Sequence, residues 1–330
     1  MKKLIVLLTI VCLFMCGCGT YNEEKAFKDF KDLVNNNKTY YLEGKMSILS
    51  GERNYNYDVK VSYKEGSYYK VNLLNTDNSH EQIILKNEDG VYVITPNLNK
   101  SFKFQSDWPN NSSQVYIMET ILNDLENDSS RSFEEKDGKY VMNSSVNYPN
   151  NSNLKSQKVT FNNKMEPEKV EVLNDNGISN ITMTFTKIEW SKKFDKDYFS
   201  LNSNIKEDCC TDTKETSGVD DVIYPMYIPV GTKFQNQEVV KSDGSERVIL
   251  TFEGAKPFIL VEEASNASKE FEVTSASGDL VFYETILGAL TDTSISWSQD
   301  GMDYYIIGQN LSNEELLQIA SSTASVAIVK

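Results

Sequence analysis

The chain has 330 residues, with 33 Lys and Arg against 48 Asp and Glu, a net charge of −15 and a single histidine. A surface this acidic repels phosphate backbones, which excludes a nucleic-acid-binding role, and it equally repels anionic lipid headgroups. The length suffices for two ordinary domains.

Two lysines, Lys2 and Lys3, precede an apolar run from Leu4 to Met15 that ends in Cys16-Gly17-Cys18. That run falls short of the roughly 20 apolar residues of a spanning helix and has the layout of an export signal. The small Gly17 before Cys18 resembles the lipobox of bacterial lipoprotein signals. The resemblance implies cleavage after residue 17 and a diacylglyceryl group on the Cys18 thiol, with palmitate-like acyl chains holding the protein at the extracytoplasmic face of the cell membrane. Two acyl chains on one residue make a stable anchor. Losing Lys2 and Lys3 leaves 31 basic against 48 acidic side chains, net −17, so membrane contact is expected from the lipid and not from basic patches. The mature chain keeps only Cys18 and the pair Cys209-Cys210, too few for a disulfide framework and without zinc-ligand spacing. No cofactor is expected beyond the covalent lipid on Cys18, and no metal.

Residues 18–22 read as a tether. Over 23–36, Ala26, Phe27, Phe30, Leu33 and Val34 recur at helical spacing. From Asn54 to Tyr63 the period changes to two, with every odd position apolar or aromatic, as in a strand with one buried face. A Glu65-Gly66 turn leads to a strand carrying Tyr69, Val71 and Leu73, and further strands are expected at Gln82–Lys86, Val91–Thr95 and Ser101–Phe104. A second helix is expected from Ser112 to Leu125, capped by Ser112 or Ser113. Strands resume at Tyr140–Asn147, Ser156–Phe161, Lys169–Leu173 and Ile181–Ile188, with Asn162-Asn163 and Asn176-Gly177 at the turns. Residues 202–221 are polar and aperiodic, a linker. Beyond it, strands are expected around Val248–Phe252, Phe258–Glu262, Phe271–Thr274, Leu280–Tyr283, Ile295–Ser298 and Tyr304–Gly308, with an Asp300-Gly301 hairpin between the last two. A helix opens at Ser312 in a capping box with Glu315, and a strand over Ser325–Val329 closes the chain. The expected domains are 23–201 and a smaller α+β domain over 222–330.

Catalysis finds no support. His80 sits alone in a polar turn and reads as a surface residue. Adjacent acids such as Glu134-Glu135 and Glu262-Glu263 point to opposite faces of a strand and do not converge on one substrate. There is no phosphate loop, paired-His motif or nucleotide fingerprint. The aromatic residues are more suggestive. Tyr55, Tyr57, Tyr92, Phe104, Trp108 and Tyr116 fit two readings, plain core packing or the lining of a concavity that takes a partner or an acyl chain.

The run Gln82-Ile83-Ile84-Leu85-Lys86-Asn87-Glu88-Asp89-Gly90-Val91-Tyr92-Val93-Ile94-Thr95-Pro96, continuing to Phe102-Lys103-Phe104-Gln105-Ser106-Asp107-Trp108-Pro109, is similar to the LolA/LolB/RseB-like lipoprotein-sorting superfamily. So are Pro167-Glu168-Lys169-Val170-Glu171-Val172 and Asp197-Tyr198-Phe199. The nearest likeness is to its Gram-positive branch of sporulation and germination lipoproteins, with an uncharacterised domain from Ile223-Tyr224-Pro225 onward. The resemblance implies an α+β fold: a strongly curved antiparallel half-barrel with helices on its concave face, then a smaller α+β domain. It also implies a non-enzymatic role, either binding a protein partner at the membrane surface (a cell-wall hydrolase or a signalling protein) or holding lipid in the concavity. Carriers of the superfamily shuttle freely and release cargo through an arginine. Here Cys18 fixes the chain in place and Arg53 has polar neighbours, which favours a fixed binding role.

Overall fold

The computed structural model describes residues 21–205, 219, 222–242, 245–265 and 271–327. The export signal, Cys18 and the Cys209-Cys210 pair lie outside the described residues.

Helix α1 (Glu23–Asn36) starts where the Asn22 side chain accepts the Lys25 N–H at 3.0 Å, and it buries Ala26, Phe30 and Val34. Six strands follow: β1 (Thr39–Ser50), β2 (Arg53–Lys64), β3 (Tyr68–Asn75), β4 (Glu81–Asn87), β5 (Gly90–Thr95) and β6 (Lys100–Phe104). Helix α2 (Met118–Asn127) precedes β7 (Ser132–Lys136), β8 (Lys139–Ser145), β9 (Leu154–Phe161), β10 (Pro167–Asn174) and β11 (Ser179–Trp190). The two meanders join through β1 and β11 into one open antiparallel sheet ending at β7. This is the curved half-barrel that the sequence resemblance implies. Its concave face and both helices share one core, built from residues such as Phe30, Leu42, Val61, Ile84, Ile121 and Val170. Part of the convex face is also apolar, with Ile83, Leu85, Tyr92 and Ile94 covered by Phe199 and its neighbours Phe194, Tyr198 and Leu201.

The second sheet comprises β12 (Thr232–Ser242), β13 (Ser245–Gly254), β14 (Phe258–Ala264), β16 (Asp279–Tyr283), β17 (Ile286–Leu290), β18 (Ser294–Gln299) and β19 (Met302–Ile307), in the order β12-β13-β14-β19-β18-β17-β16. Helix α3 (Asn313–Ala327) packs Leu316, Leu317, Ile319 and Ala320 onto one face of it. The capping box forms as expected: Ser312 N–H donates to Glu315 and Glu315 N–H donates to Ser312 Oγ. At the Asp300-Gly301 turn both residues have positive φ, 52° and 80°, as a tight hairpin requires.

Four expectations need correction. The second helix begins at Met118, not at Ser112, and no side chain of its own segment caps it. Ser113 Oγ instead donates to Asp124 at 2.9 Å and accepts the Asn147 N–H at 2.8 Å, which ties residues 112–117 sideways as a loop. The strand expected over Ser325–Val329 is helix as far as Ala327; Ser322 and Thr323 return their hydroxyls to the Ile319 carbonyl, so the Ser/Thr-rich stretch is satisfied within α3. The strand around Phe271–Thr274 forms as β15 (Glu272–Ser275), but it leaves the second sheet and pairs in parallel with β6 at the edge of the first. His80 is half-buried, because its turn docks against the β18–β19 hairpin, where Asn78 bonds Asp300.

Candidate ligand site between the two sheets

The six aromatic residues are all buried. Tyr55, Tyr57, Phe104, Trp108 and Tyr116 belong to the core of the concave face, and Tyr92 lies on the opposite face. Trp108 packs edge-on against Tyr69, with ring centroids 5.8 Å apart, and Tyr57 meets Phe282 of the second sheet at 6.4 Å. Most of the concavity is filled by its own aromatic side chains and by α1 and α2. Two of the six border open space among the described residues. Phe104 borders the space between the sheets, and Tyr55 borders a shallow groove where the β1–β2 hairpin meets Tyr227, Tyr283 and Glu284. Arg53 stacks on the Tyr55 ring at 5.1 Å in that groove.

The open space lies over the β4–β6 end of this same concave face, beneath the second sheet. Strands β4–β6 present Gln82, Val93, Thr95, Phe102 and Phe104 toward the second sheet. That sheet answers with the face opposite α3: Val261 and Glu263 of β14, Leu287 and Ala289 of β17, Ser296 of β18, and Tyr305 of β19. Between them is a cavity of about 340 Å³, closed on one side by Thr274–Ser277. Its floor is apolar. Both carboxylates at its rim have partners: Glu263 takes the Arg247 guanidinium at 2.7 Å, and Asp303 takes Lys100 Nζ at 3.3 Å and the Ser298 hydroxyl. A cavity with an apolar floor and neutralised rim charges suits an uncharged apolar group.

The strand neighbours Glu262 and Glu263 do part to opposite faces. Glu263 borders the cavity, whereas Glu262 is wholly buried on the other face of the sheet, where both its oxygens accept the Ile223 N–H at 3.1 Å. Burial raises the Glu262 carboxyl to about 7. Glu119 and Asp124 of α2 are also raised to about 7 by burial; Tyr40 donates to Glu119 at 2.8 Å, and Ser113 to Asp124. Burial lowers the His80 pKa. Glu119 and Asp124 share α2 but bond different partners, and Glu262 and His80 lie on other elements. Among the described residues, no group of His, Cys, Asp and Glu has the arrangement of a metal site, and no helix is long and apolar enough to cross a membrane.

Sequence reasoning missed the cavity because its walls come from strands that read as ordinary core. One signal was present: Ile286-Leu287-Gly288-Ala289-Leu290 is continuously apolar, the mark of a strand covered on both faces.

Fold and cavity together define an α+β scaffold of the half-barrel type, with a second sheet laid across one end to cover an apolar space. The family model described as sporulation protein YdcC-like matches residues 1–199, and the chain belongs to that family. It is 36% identical over 327 residues to the sporulation protein YdcC of Bacillus subtilis (strain 168), covering 97% of this chain and 96% of that one. Among solved structures it is similar to the MucA/MucB complex of Pseudomonas aeruginosa (TM-score 0.33, 10% identity, 90% of this chain and 97% of that chain). It is also similar to the LolA superfamily protein NE2245 of Nitrosomonas europaea (TM-score 0.32, 9% identity, 55% of this chain and 99% of that chain). Both overlays are loose, and neither bears on partner or cargo.

Proposed function

We propose that this chain is a membrane-anchored, non-enzymatic lipoprotein of sporulation that binds and regulates an envelope, spore-cortex or germination protein. Cys18, carrying diacylglycerol, holds it at the extracytoplasmic face, and the partner is a cell-wall hydrolase or a signalling protein at the same surface. One observation carries the reading: the half-barrel is filled except at its β4–β6 end, where the space beneath the second sheet is apolar, partly enclosed and free of unpaired charge at its rim. At 340 Å³ this space lies at the bottom of the range of small-molecule sites, about 300–1,000 Å³. It accommodates one or two apolar side chains of a partner better than a two-chain lipid.

The apolar floor of Phe102, Phe104 and Leu287 supports a second reading, in which one acyl chain occupies the same cavity. Affinity capture from sporulating membranes, with protein and lipid mass spectrometry on the same eluate, separates the two. The partner reading expects a protein that is recovered with the parent chain and lost with Ala289→Phe, which fills the cavity. Recovery of lipid without protein would overturn it.

A further inference from the structure

Every strand pairing among the described residues is antiparallel except one. Strand β15 runs parallel to β6, with Glu272 opposite Lys100 and Thr274 opposite Phe102. Its flanking bonds are the Glu272 N–H to the Asn99 carbonyl at 3.1 Å and the Ala276 N–H to the Lys103 carbonyl at 2.8 Å. All four side chains of β15 are exposed, so backbone bonds are its main hold, and parallel pairing is the weaker kind. Only the residues at its two ends are packed: Phe271 against the convex cluster and Ala276 against the main core. The same segment, from Thr274 to Ser277, is the side wall of the cavity.

We propose that β15 is a displaceable strap, and that an extended segment of the protein partner replaces it on β6. This rests on reading the cavity as a partner site. The partner segment adds a parallel strand to the β6 edge, the mode in which main-chain bonds give affinity and alternate side-chain pockets give specificity. Thr274 and Phe102 are register partners and both border the cavity, so the residue replacing Thr274 points an apolar side chain into it. Lys100, opposite Glu272, is already taken by Asp303, so the acid position is not selected. The recognised chemistry is an extended segment with an apolar side chain at the Thr274 position.

The test uses the mature chain, residues 18–330, with Cys18, Cys209 and Cys210 replaced by serine. Ser275→Cys and Lys103→Cys, at register partners, lock the strap by a disulfide. The probe is a labelled eight-residue peptide copying residues 271–278 with Thr274→Leu, read by fluorescence anisotropy. The reduced protein is expected to bind it about ten-fold more tightly than the peptide of unchanged sequence, because a leucine side chain enters the cavity. The oxidised protein is expected not to bind, and reduction to restore binding. Should the locked pair fail to fold, Glu272→Pro in the same background removes one strap hydrogen bond and is expected to strengthen peptide binding. Equal binding by oxidised and reduced protein, no binding by the reduced protein, or no gain with Glu272→Pro would each overturn the strap. So would a dimer of the chain that the lock dissolves, since the occupant would then be a second copy. A membrane protein captured equally by both redox forms would remove the strap but leave the partner reading standing. No captured protein, with the peptide results as expected, would do the reverse.

Discussion

The carboxylate of Glu262 on β14 accepts the backbone N–H of Ile223 through both oxygens at 3.1 Å, on the face of the second sheet opposite the cavity. One buried charge thereby fixes the point where the chain enters its second sheet. The arrangement is costly when Glu262 is ionised, because a buried carboxylate with a single backbone donor is poorly compensated.

The pH dependence follows in sign. The Glu262 carboxyl stands at about 7 in the folded chain against an ordinary 4.5, so the folded state holds the extra proton between these values. Stability therefore falls as pH rises from about 4.5 to 7 and is flat above that. The difference corresponds to about 3 kcal/mol for a fully buried group. Glu262→Gln keeps an acceptor for Ile223 and removes the titration. Urea unfolding is expected to show Glu262→Gln more stable than the parent by about 2–3 kcal/mol at pH 8 and nearly equal at pH 5. An equal effect at both pH values would show that Glu262 does not titrate in this range.

The hydroxyl of Tyr40 performs two tasks. It accepts the Met118 N–H at 3.3 Å, where α2 has no cap of its own, and it donates to Glu119 at 2.8 Å. Tyr40→Phe leaves both groups without that partner and is expected to cost about 1–3 kcal/mol. The hydrogen bond holds the Glu119 carboxyl down against the larger effect of burial. Its loss is therefore felt most when Glu119 is ionised, and the cost should be larger at pH 8 than at pH 5. A cost that does not change with pH would break the link to Glu119.

Much of the first sheet was legible because one face is wet. Asn54–Tyr63 alternates without a fault, and β2 spans it. Strand β1 carries the same alternation in Tyr40, Leu42, Met46 and Ile48, but Gly44 stands at the core position between them and a bulge follows Glu43. Strand β12 was invisible for a different reason: Lys233–Lys241 is exposed throughout, so it offers no contrast between faces. The cavity itself could not be read. It needs β6 and β17, distant in sequence, to face each other, and Phe104, although a candidate lining residue, is not set apart in sequence from the candidates that pack in the core.

Gly44 explains why the pattern breaks there. A Cβ at this position would stand 2.5 Å from the Thr184 carbonyl oxygen on β11 and 2.4 Å from Met183 Cε. The methionine end can move, but the carbonyl belongs to the β1–β11 pairing and cannot move without shifting it. Gly44→Ala is expected to cost about 2–3 kcal/mol by overpacking, although alanine suits a strand better than glycine does. Gly138→Ala makes a useful contrast, since open space surrounds that position and its cost arises only from φ of +73°. Thermal melts of the two variants should differ in one further respect: trimming Met183 to alanine relieves Gly44→Ala little, because the backbone clash remains.

Ser113 separates a helix cap from a tertiary tether. Its hydroxyl donates to Asp124 and accepts the Asn147 N–H, joining the loop before α2 to the strand β8 region, five residues upstream of the helix start. If the residue capped α2, Ser113→Ala would fray the helix and lower the far-ultraviolet helical signal. As a tether, its removal should leave helix content unchanged and cost about 1–2 kcal/mol, since the Asn147 N–H loses this acceptor and Asp124 keeps only the Gln157 amide at 3.3 Å. The Asp124 carboxyl, already raised to about 7 by burial, should rise further without this donor. Circular dichroism together with a carboxyl titration followed by NMR checks both points. Helix loss with an unmoved Asp124 titration would show that Ser113 is a cap after all.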